Sequence, residues 1–425
     1  MVTDKNSPKL KIGIFSDVQG YACKYDFGMA NLDKALQMLA DKKPDVLMMA
    51  GDLADDASDN VFTMYNDLCR KYFTDKLPVN FACAGNHDYW TAEPLGVRNS
   101  EAIYTNFCEK MEQPAENPLH SVICGYDFIS MSEDCKNYSA AMVGKLEKEI
   151  QKAVARDDKK PVFVVTHYPP AHTICGSRDQ FGSVELNEMF KKYPQVISFS
   201  GHTHHPLVDE RSIWQKEYTA VSTSTLCYCC MVEHNYNTVN TIVPFAREVI
   251  NMLYMEVFDD RIEIHRYDVL TGKEIKEDEV WSVPLPFDPS SAPYGFERRA
   301  ALRKAPEFPA DAEMVLRFDY GFIYLIFDNA EHDDFVHYYR IKISKDGEVI
   351  FNERYVSDFY RLACHREDKR QYFRLPNELI EPRQNYRIEV IPEESFGNTG
   401  KPLVLDALIP TRYRFRGKVE LFPQE

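Results

Sequence analysis

The sequence predicts a two-part chain, an α/β fold over roughly the first two thirds and an all-β fold over the last third. Three observations carry that reading. Short apolar runs alternate with helix-period stretches from Lys11 to Ser200. Five of those runs stop at groups that bind metal or move protons, at Asp17, Asp52, Asn86/His87, His167 and His202/His204. From Glu313 onward the helical period gives way to short runs rich in aromatic and β-branched residues.

The elements follow in order. Lys11–Val18 is a buried strand that runs into polar residues. Leu32, Ala35, Leu36 and Leu39 recur at helical spacing, and Pro44 marks the end of that helix. Asp45–Ala50 is a second apolar run, ending in Gly51-Asp52. A helix is expected around Val61–Tyr72, and Val79–Ala84 is a third strand. It delivers Gly85-Asn86-His87-Asp88, four residues that do not suit a strand interior. Strand, helix, strand, helix, strand predicts parallel strands with crossovers, and sites on such sheets gather at the carboxyl ends of the strands.

Residues 91–125 read as an excursion holding one amphipathic helix (Ile103, Phe107, Met111). Tyr126–Met131 is a strand, and Leu146, Ile150 and Val154 mark a helix. Pro161–Thr166 leads to His167-Tyr168-Pro169-Pro170. Val196–Ser200 leads to Gly201-His202-Thr203-His204-His205. Tyr218–Thr225 is a further strand. Met252–Phe258 and Arg261–Tyr267 alternate around Asp259-Asp260 and predict a hairpin at the edge of the second sheet.

Composition narrows the function. The chain has 425 residues, a length that favours two domains, and 44% hydrophobic with 27% charged residues is ordinary for a globular protein. A net charge of −16 repels a phosphate backbone, so nucleic acid is a poor partner. No segment approaches the roughly 18 apolar residues of a membrane span, and the first ten residues hold no signal-peptide core, though a trimmed secretion leader is compatible with them. The eleven cysteines are scattered in mostly apolar surroundings, which suits reduced thiols in a cytoplasmic protein. Cys227-Tyr228-Cys229-Cys230 is the one cluster; no second pair partners it, so packing is expected rather than zinc.

The five strand ends, taken together, resemble the calcineurin-like metallophosphoesterase superfamily. That pattern is Asp-x-His, Gly-Asp, Gly-Asn-His-Asp/Glu, a lone His, then Gly-His-x-His. Here it reads Asp17-Val18-Gln19, Gly51-Asp52, Gly85-Asn86-His87-Asp88, His167 and Gly201-His202-Thr203-His204, within residues 8–270. The resemblance implies a four-layer αββα fold and two divalent metal ions, with Mn, Fe or Zn suited to the ligands and Mg possible. It implies that Asp52 bridges both metals, Asp17 and His204 hold the first, and Asn86, His167 and His202 hold the second. His87 resembles the histidine that contacts the phosphate and protonates the leaving alkoxide. Asp55 and Asp88 both stand as the acid that orients it. Gln19 departs from the pattern, where a ligand His is usual. It either ligates the first metal weakly or contacts a water on it. His172, His205 and Tyr89 are further candidates for contact with the substrate, a small phosphorylated molecule.

Residues 271–310 carry six prolines from Pro284 to Pro309 and read as a linker or strap, with Trp281 pinning it to the first domain. Residues 311–415 read as β strands with a hairpin turn at Lys345-Asp346-Gly347, and 413–417 as a small extra strand. Asn385–Ile391 with Ser395–Asn398 resembles the end of a fibronectin type III domain, an immunoglobulin-like sandwich of seven strands. It suits a protein partner or self-association. The expected function is a dinuclear metal-dependent phosphohydrolase, with diester cleavage slightly ahead of monoester. A non-catalytic metal-binding or interaction scaffold is the rival, and a nuclease is disfavoured by the charge.

Overall fold

The structure, a computed structural model, describes residues 7–21, 26–93, 97–134, 138–178, 181–231, 233, 235–319, 322–361, 369–409 and 419–421. The chain forms two compact units, one built from the chain up to 232 with Phe245–Phe296, the other from Glu233–Pro244 with Glu297 onward.

In the first unit the apolar runs become strands buried on both faces, the pattern of parallel strands covered by helices. β1 (Leu10–Phe15), β2 (Val46–Ala50) and β3 (Val79–Cys83) pair in parallel. Between and after them run α1 (Phe27–Lys42), α2 (Asp59–Tyr72) and α3 (Ser100–Lys110). Asp26 caps α1 by accepting the Met29 N–H at 3.1 Å, and Lys43 closes it in a left-handed conformation just before Pro44. Leu32, Ala35, Leu36 and Leu39 are buried in one cluster with Leu47 and Met49 of β2 and with Phe62 and Phe107 of the other two helices.

A second sheet is built from β4 (Leu119–Ile123), β5 (Tyr126–Met131), β6 (Val162–Thr166), β7 (Val196–Ser200), β8 (Ile213–Gln215) and β9 (Thr219–Ser222), in the order β4-β5-β6-β7-β9-β8. β5, β6, β7 and β9 are parallel. α4 (Ala140–Arg156) and α5 (Val184–Phe190) share a core with it through Leu146, Ile150, Leu186 and Phe190. Phe81 of β3 meets Phe128 of β5 edge-on, with ring centroids 5.5 Å apart, so side chains of the two sheets touch.

Three expectations need correction. The hairpin of β10 (Asn251–Val257) and β11 (Arg261–Asp268) joins the first sheet, where β10 pairs antiparallel with β1. The expected linker begins inside the first unit. β12 (Lys273–Glu274) and β13 (Trp281–Pro284) both pair with β11, because alternate residues there are apolar and Trp281 and Val283 are buried despite the nearby prolines. β4 lay unread in the excursion, since an edge strand half exposed on both sides has no apolar period to show.

The second unit holds two antiparallel four-stranded sheets. Its strands are β14 (Met314–Asp319), β15 (Phe322–Asp328), β16 (Tyr338–Lys345), β17 (Glu348–Val356), β18 (Arg370–Arg374), β19 (Asn385–Glu393), β20 (Leu403–Leu408) and β21 (Val419–Leu421). The sheet orders are β18-β15-β14-β21 and β17-β16-β19-β20, eight strands among the described residues against the seven expected. One core of Leu316, Leu325, Ile341, Ile388 and Leu405 lies between them. The extra strand expected at 413–417 lies outside the described residues. Residues 233–244 also belong to this unit, against the expected boundary. Tyr236 donates its N–H to Arg354 O at 2.9 Å and packs on Phe373, and Asn237 exchanges two hydrogen bonds with Val356.

Candidate metal centre

The five strands whose ends stand out in the sequence deliver those ends to one place. Asp17 follows β1, Asp52 follows β2, and Asn86 and His87 follow β3, with His87–Tyr89 forming one 3-10 turn. His167 follows β6, and His202 and His204 follow β7. Donor atoms of Asp17, Asp52 and His167 lie within 4.8 Å of one another, and all three residues are buried.

The histidines are oriented as ligands are. His167 donates Nδ1–H to Ala50 O at 2.8 Å, which turns Nε2 towards Asp52 Oδ2 (3.1 Å) and Asn86 Oδ1 (3.2 Å). His204 donates Nδ1–H to Tyr228 O at 2.8 Å, which turns Nε2 towards Asp17 Oδ1 at 3.0 Å. A backbone carbonyl on one ring nitrogen and acidic oxygens before the other is the usual outer arrangement of a metal-bound imidazole. The oxygens and the two imidazole nitrogens face one another, a donor set suited to a divalent cation. His202 gives its backbone N–H to the Asp17 carboxylate at 3.1 and 3.2 Å, and its ring lies against Tyr168 and His167.

Electrostatics say the same. Burial opposes charge on His167, but the Asp52 charge and hydrogen bond outweigh it and raise the imidazole to about 9. His204 is raised in the same way by Asp17. Burial also pushes the Asp17 carboxyl up, and His204 more than reverses that, leaving it below its ordinary value. The acidic oxygens thus favour positive charge at both rings.

The backbone is bent to make this possible. Asp17, Gln19, Asp52, His202 and His204 have φ of 50°, 45°, 55°, 66° and 51°, a region that non-glycine residues seldom adopt. Two glycines give the carboxylates room. A Cβ on Gly85 would lie 2.1 Å from Asp52 Oδ1, and one on Gly51, itself at φ 86°, would lie 2.5 Å from His167 Nδ1.

His87 stands beside this cluster. Its Nδ1 lies 3.1 Å from Asp55 Oδ1 and 3.2 Å from Asp55 O, so that nitrogen carries the proton. Its Nε2 lies 3.0 Å from the Gln19 amide nitrogen and 4.0 Å from Asp52 Oδ2. Its ring packs against Trp90, tilted by 37° with centroids 3.7 Å apart. Burial raises the Asp55 carboxyl, against the pull of His87.

Of the two acids expected beside His87, Asp55 is at the ring and Asp88 is not. Asp88 accepts backbone N–H groups from Asp52 (2.8 Å), Ala54 (2.9 Å) and Gly85 (2.9 Å), which ties the end of β2 to the end of β3. Burial and the nearby Asp52 charge push it up to about 7. Tyr89 is 2% exposed and packed in the helix-side core, so it is a core residue and offers no surface to a ligand. His205 is equally buried and paired with Asp209 at 3.0 Å. His172 sits exposed on a turn closed by its N–H to Ser177 O.

Sequence reasoning missed Tyr168, whose hydroxyl donates to Asn86 Oδ1 at 3.1 Å, and Ser16, whose hydroxyl donates to Asp17. It also missed Tyr228, which lay inside a cluster weighed only for its cysteines. The first two flank the ligands in sequence, and that adjacency was the available signal. Two other donor groups have protein partners instead. Asp209 of the Cys175–His205–Asp209 group is forked by Arg211, and Glu263, Glu256 and His265 are engaged by Arg261, Tyr254 and Glu274.

Residues 10–206 match the family described as calcineurin-like phosphoesterase, so the first unit contains such a domain. No curated protein sequence matches the chain. Among solved structures it is similar to a dimetal phosphatase from Danio rerio, at 9% identity over 65% of this chain and 99% of that one, with a TM-score of 0.43. It is also similar to GAP50, the anchor in the inner membrane complex of Plasmodium, at 14% identity over 71% and 98%, TM-score 0.41. A third is the purple acid phosphatase PPD1 of yellow lupin, at 13% identity over 65% and 55%, TM-score 0.45. Among the described residues no helix is long and apolar enough to cross a membrane.

Proposed function

We propose that the first unit is a phosphoesterase working with two divalent cations on a small phosphorylated substrate. The observation that carries this is the buried convergence of Asp17, Asp52 and His167 with His87 held beside it. Asp17 and His204 would hold one cation, Asn86, His167 and His202 the other, and Asp52 would be shared. Bound there, the cations supply an activated water and neutralise charge on the phosphoryl oxygens. Asp55 holds the Nδ1–H of His87, so Nε2 is the nitrogen that takes up a proton from water and then gives it to the leaving-group oxygen. Asp88 keeps the Asp52 and Gly85 backbones in register and takes no part in proton transfer. The layered first unit is read as the αββα arrangement and the second as a sandwich akin to fibronectin type III, open to a partner. Free thiols, those of Cys69, Cys83 and Cys227 raised by burial, support a reducing, cytoplasmic setting.

The presence of His87 with its acid favours an enzyme over a scaffold, which needs neither. Diester and monoester substrates are separated by assay. Hydrolysis of nitrophenyl phosphate and bis(nitrophenyl) phosphate is measured with Mn, Zn or Mg, beside Asp52→Ala and His87→Ala. Asp52→Ala abolishes turnover, and His87→Ala lowers it most on esters with poor leaving groups, by about 10²–10⁴-fold. Undiminished activity in Asp52→Ala refutes the assignment, and no activity with any metal favours the scaffold.

A further inference from the structure

We propose that Gln19 is a positioning residue for His87 rather than a metal ligand. The proposal rests on the phosphoesterase reading above and explains the one departure from the five-block pattern. Both groups facing His87 Nδ1 are acceptors, so in the neutral ring Nε2 carries the lone pair and the Gln19 amide N–H donates to it at 3.0 Å; once Nε2 has taken a proton from water, the amide turns its oxygen to that N–H and keeps the ring aimed. The imidazole is thereby held on three sides, by Asp55 at one nitrogen, Gln19 at the other and Trp90 across its face at 3.7 Å.

Gln19 is well placed to act as a fixed arm. It is 4% exposed, its backbone N–H is tied to Asp52 O at 2.9 Å, and its φ of 45° aims the side chain from a bent loop. The Tyr228 side chain engages the same amide, and the Tyr228 carbonyl holds His204 Nδ1 at 2.8 Å. One chain of contacts therefore runs from His204 through Tyr228 and Gln19 to His87. A histidine at position 19 would bind metal with its nitrogen. The amide instead bonds to the proton donor, and the first cation is left to Asp17, Asp52 and His204.

The test uses the full chain, with Gln19→Met and Gln19→Asn beside wild type. Metal content and affinity are read by equilibrium dialysis against Mn or Zn. Turnover is read on nitrophenyl esters, whose leaving group needs no proton, and on phenyl or alkyl esters, whose leaving group does. Both variants keep two cations per chain with unchanged affinity. Their turnover falls about 10–100-fold on phenyl and alkyl esters and far less on nitrophenyl esters. Loss of one cation, or an equal fall on every ester, overturns the proposal. If the wild-type chain cleaves no ester, the phosphoesterase reading fails by itself. The nitrogen NMR shift of the His87 ring then reads the contact. It moves in Gln19→Met while the metal count holds, and a ring signal identical to wild type overturns the proposal.

Discussion

Replacing Glu210 with Gln tests how the loop carrying His202 and His204 is anchored. Glu210 accepts from Arg266 at 2.8 Å, from Lys276 at 2.9 Å and from the Trp281 indole at 2.9 Å. Arg266 belongs to β11 and is 1% exposed; it also donates to Leu207 O and Glu279 O and lies 4.3 Å over the Trp281 ring. The network therefore fastens the turn just after His205 to the first sheet. Burial opposes the Glu210 charge, but Arg266 and Lys276 hold the carboxyl down at about 2, against 4.5 for a free glutamate. That difference amounts to about 3 kcal/mol of stability. Breaking a buried pair and leaving an unpaired guanidinium costs about 3–5 kcal/mol by a separate argument. The two agree, so Glu210→Gln lowers the urea midpoint by roughly 1–2 M at neutral pH. The sign in pH follows from the depressed value. The contribution is complete above about pH 4.5 and fades as pH falls towards about 2, so the gap between wild type and variant narrows below about pH 4.5. Urea titrations followed by tryptophan fluorescence, at about pH 7, 5 and 4, decide it. A gap under about 1 kcal/mol at neutral pH, or one that widens on acidification, refutes the reasoning.

Other outcomes follow from the site. Gly85→Ala drives a Cβ into Asp52, so bound metal falls below two per chain and stability drops by about 1–3 kcal/mol, as read by metal analysis and thermal melts. Gly144→Ala in α4 meets nothing within 4 Å and raises stability by about 0.5–1 kcal/mol, which serves as the control. Asp88→Ala leaves three buried N–H groups unmet at about 1–3 kcal/mol each and lowers metal loading with them, by the same two measurements. Chelation with EDTA lowers the melting temperature, and a cation at about a thousandfold over its Kd restores about 4 kcal/mol. An unchanged melt would remove the metal from the site.

The first unit could be read because its strands are buried on both faces. β2, β6 and β7 are buried throughout and mostly apolar, and each leads straight into a polar site residue or the glycine before one. Partner identity was another matter. Asp55 and Asp88 are both acids near His87 in sequence, and only the fold shows that one meets an imidazole while the other meets three amides. Tyr89 and Trp90 are adjacent aromatics, yet one turn of 3-10 helix sends the first into the core and the second over His87. Boundaries failed for a different reason. Prolines near Pro284 looked like a linker because composition does not register that β11 has an edge to pair with. Residues 233–244 lie far in sequence from the strands they join.

The bent backbone ties these readings together. Five residues of the site, Asp17, Gln19, Asp52, His202 and His204, hold left-handed φ values, each at a cost on the order of 1 kcal/mol or more. No local propensity favours that, so the strain must be imposed by what lies on either side. On the inner side are strands with no exposed residue. On the outer side are N–H groups donating to carboxylates, from His87 to Asp52 at 2.8 Å and from His202 to Asp17 at 3.1 Å. The same bends that open the carboxylates towards a cation turn Gln19 back on His87. If that is correct, ligand geometry and the aim of the proton donor are set by one piece of backbone. Gly85→Ala then disturbs both together, whereas Gln19→Met disturbs only the second.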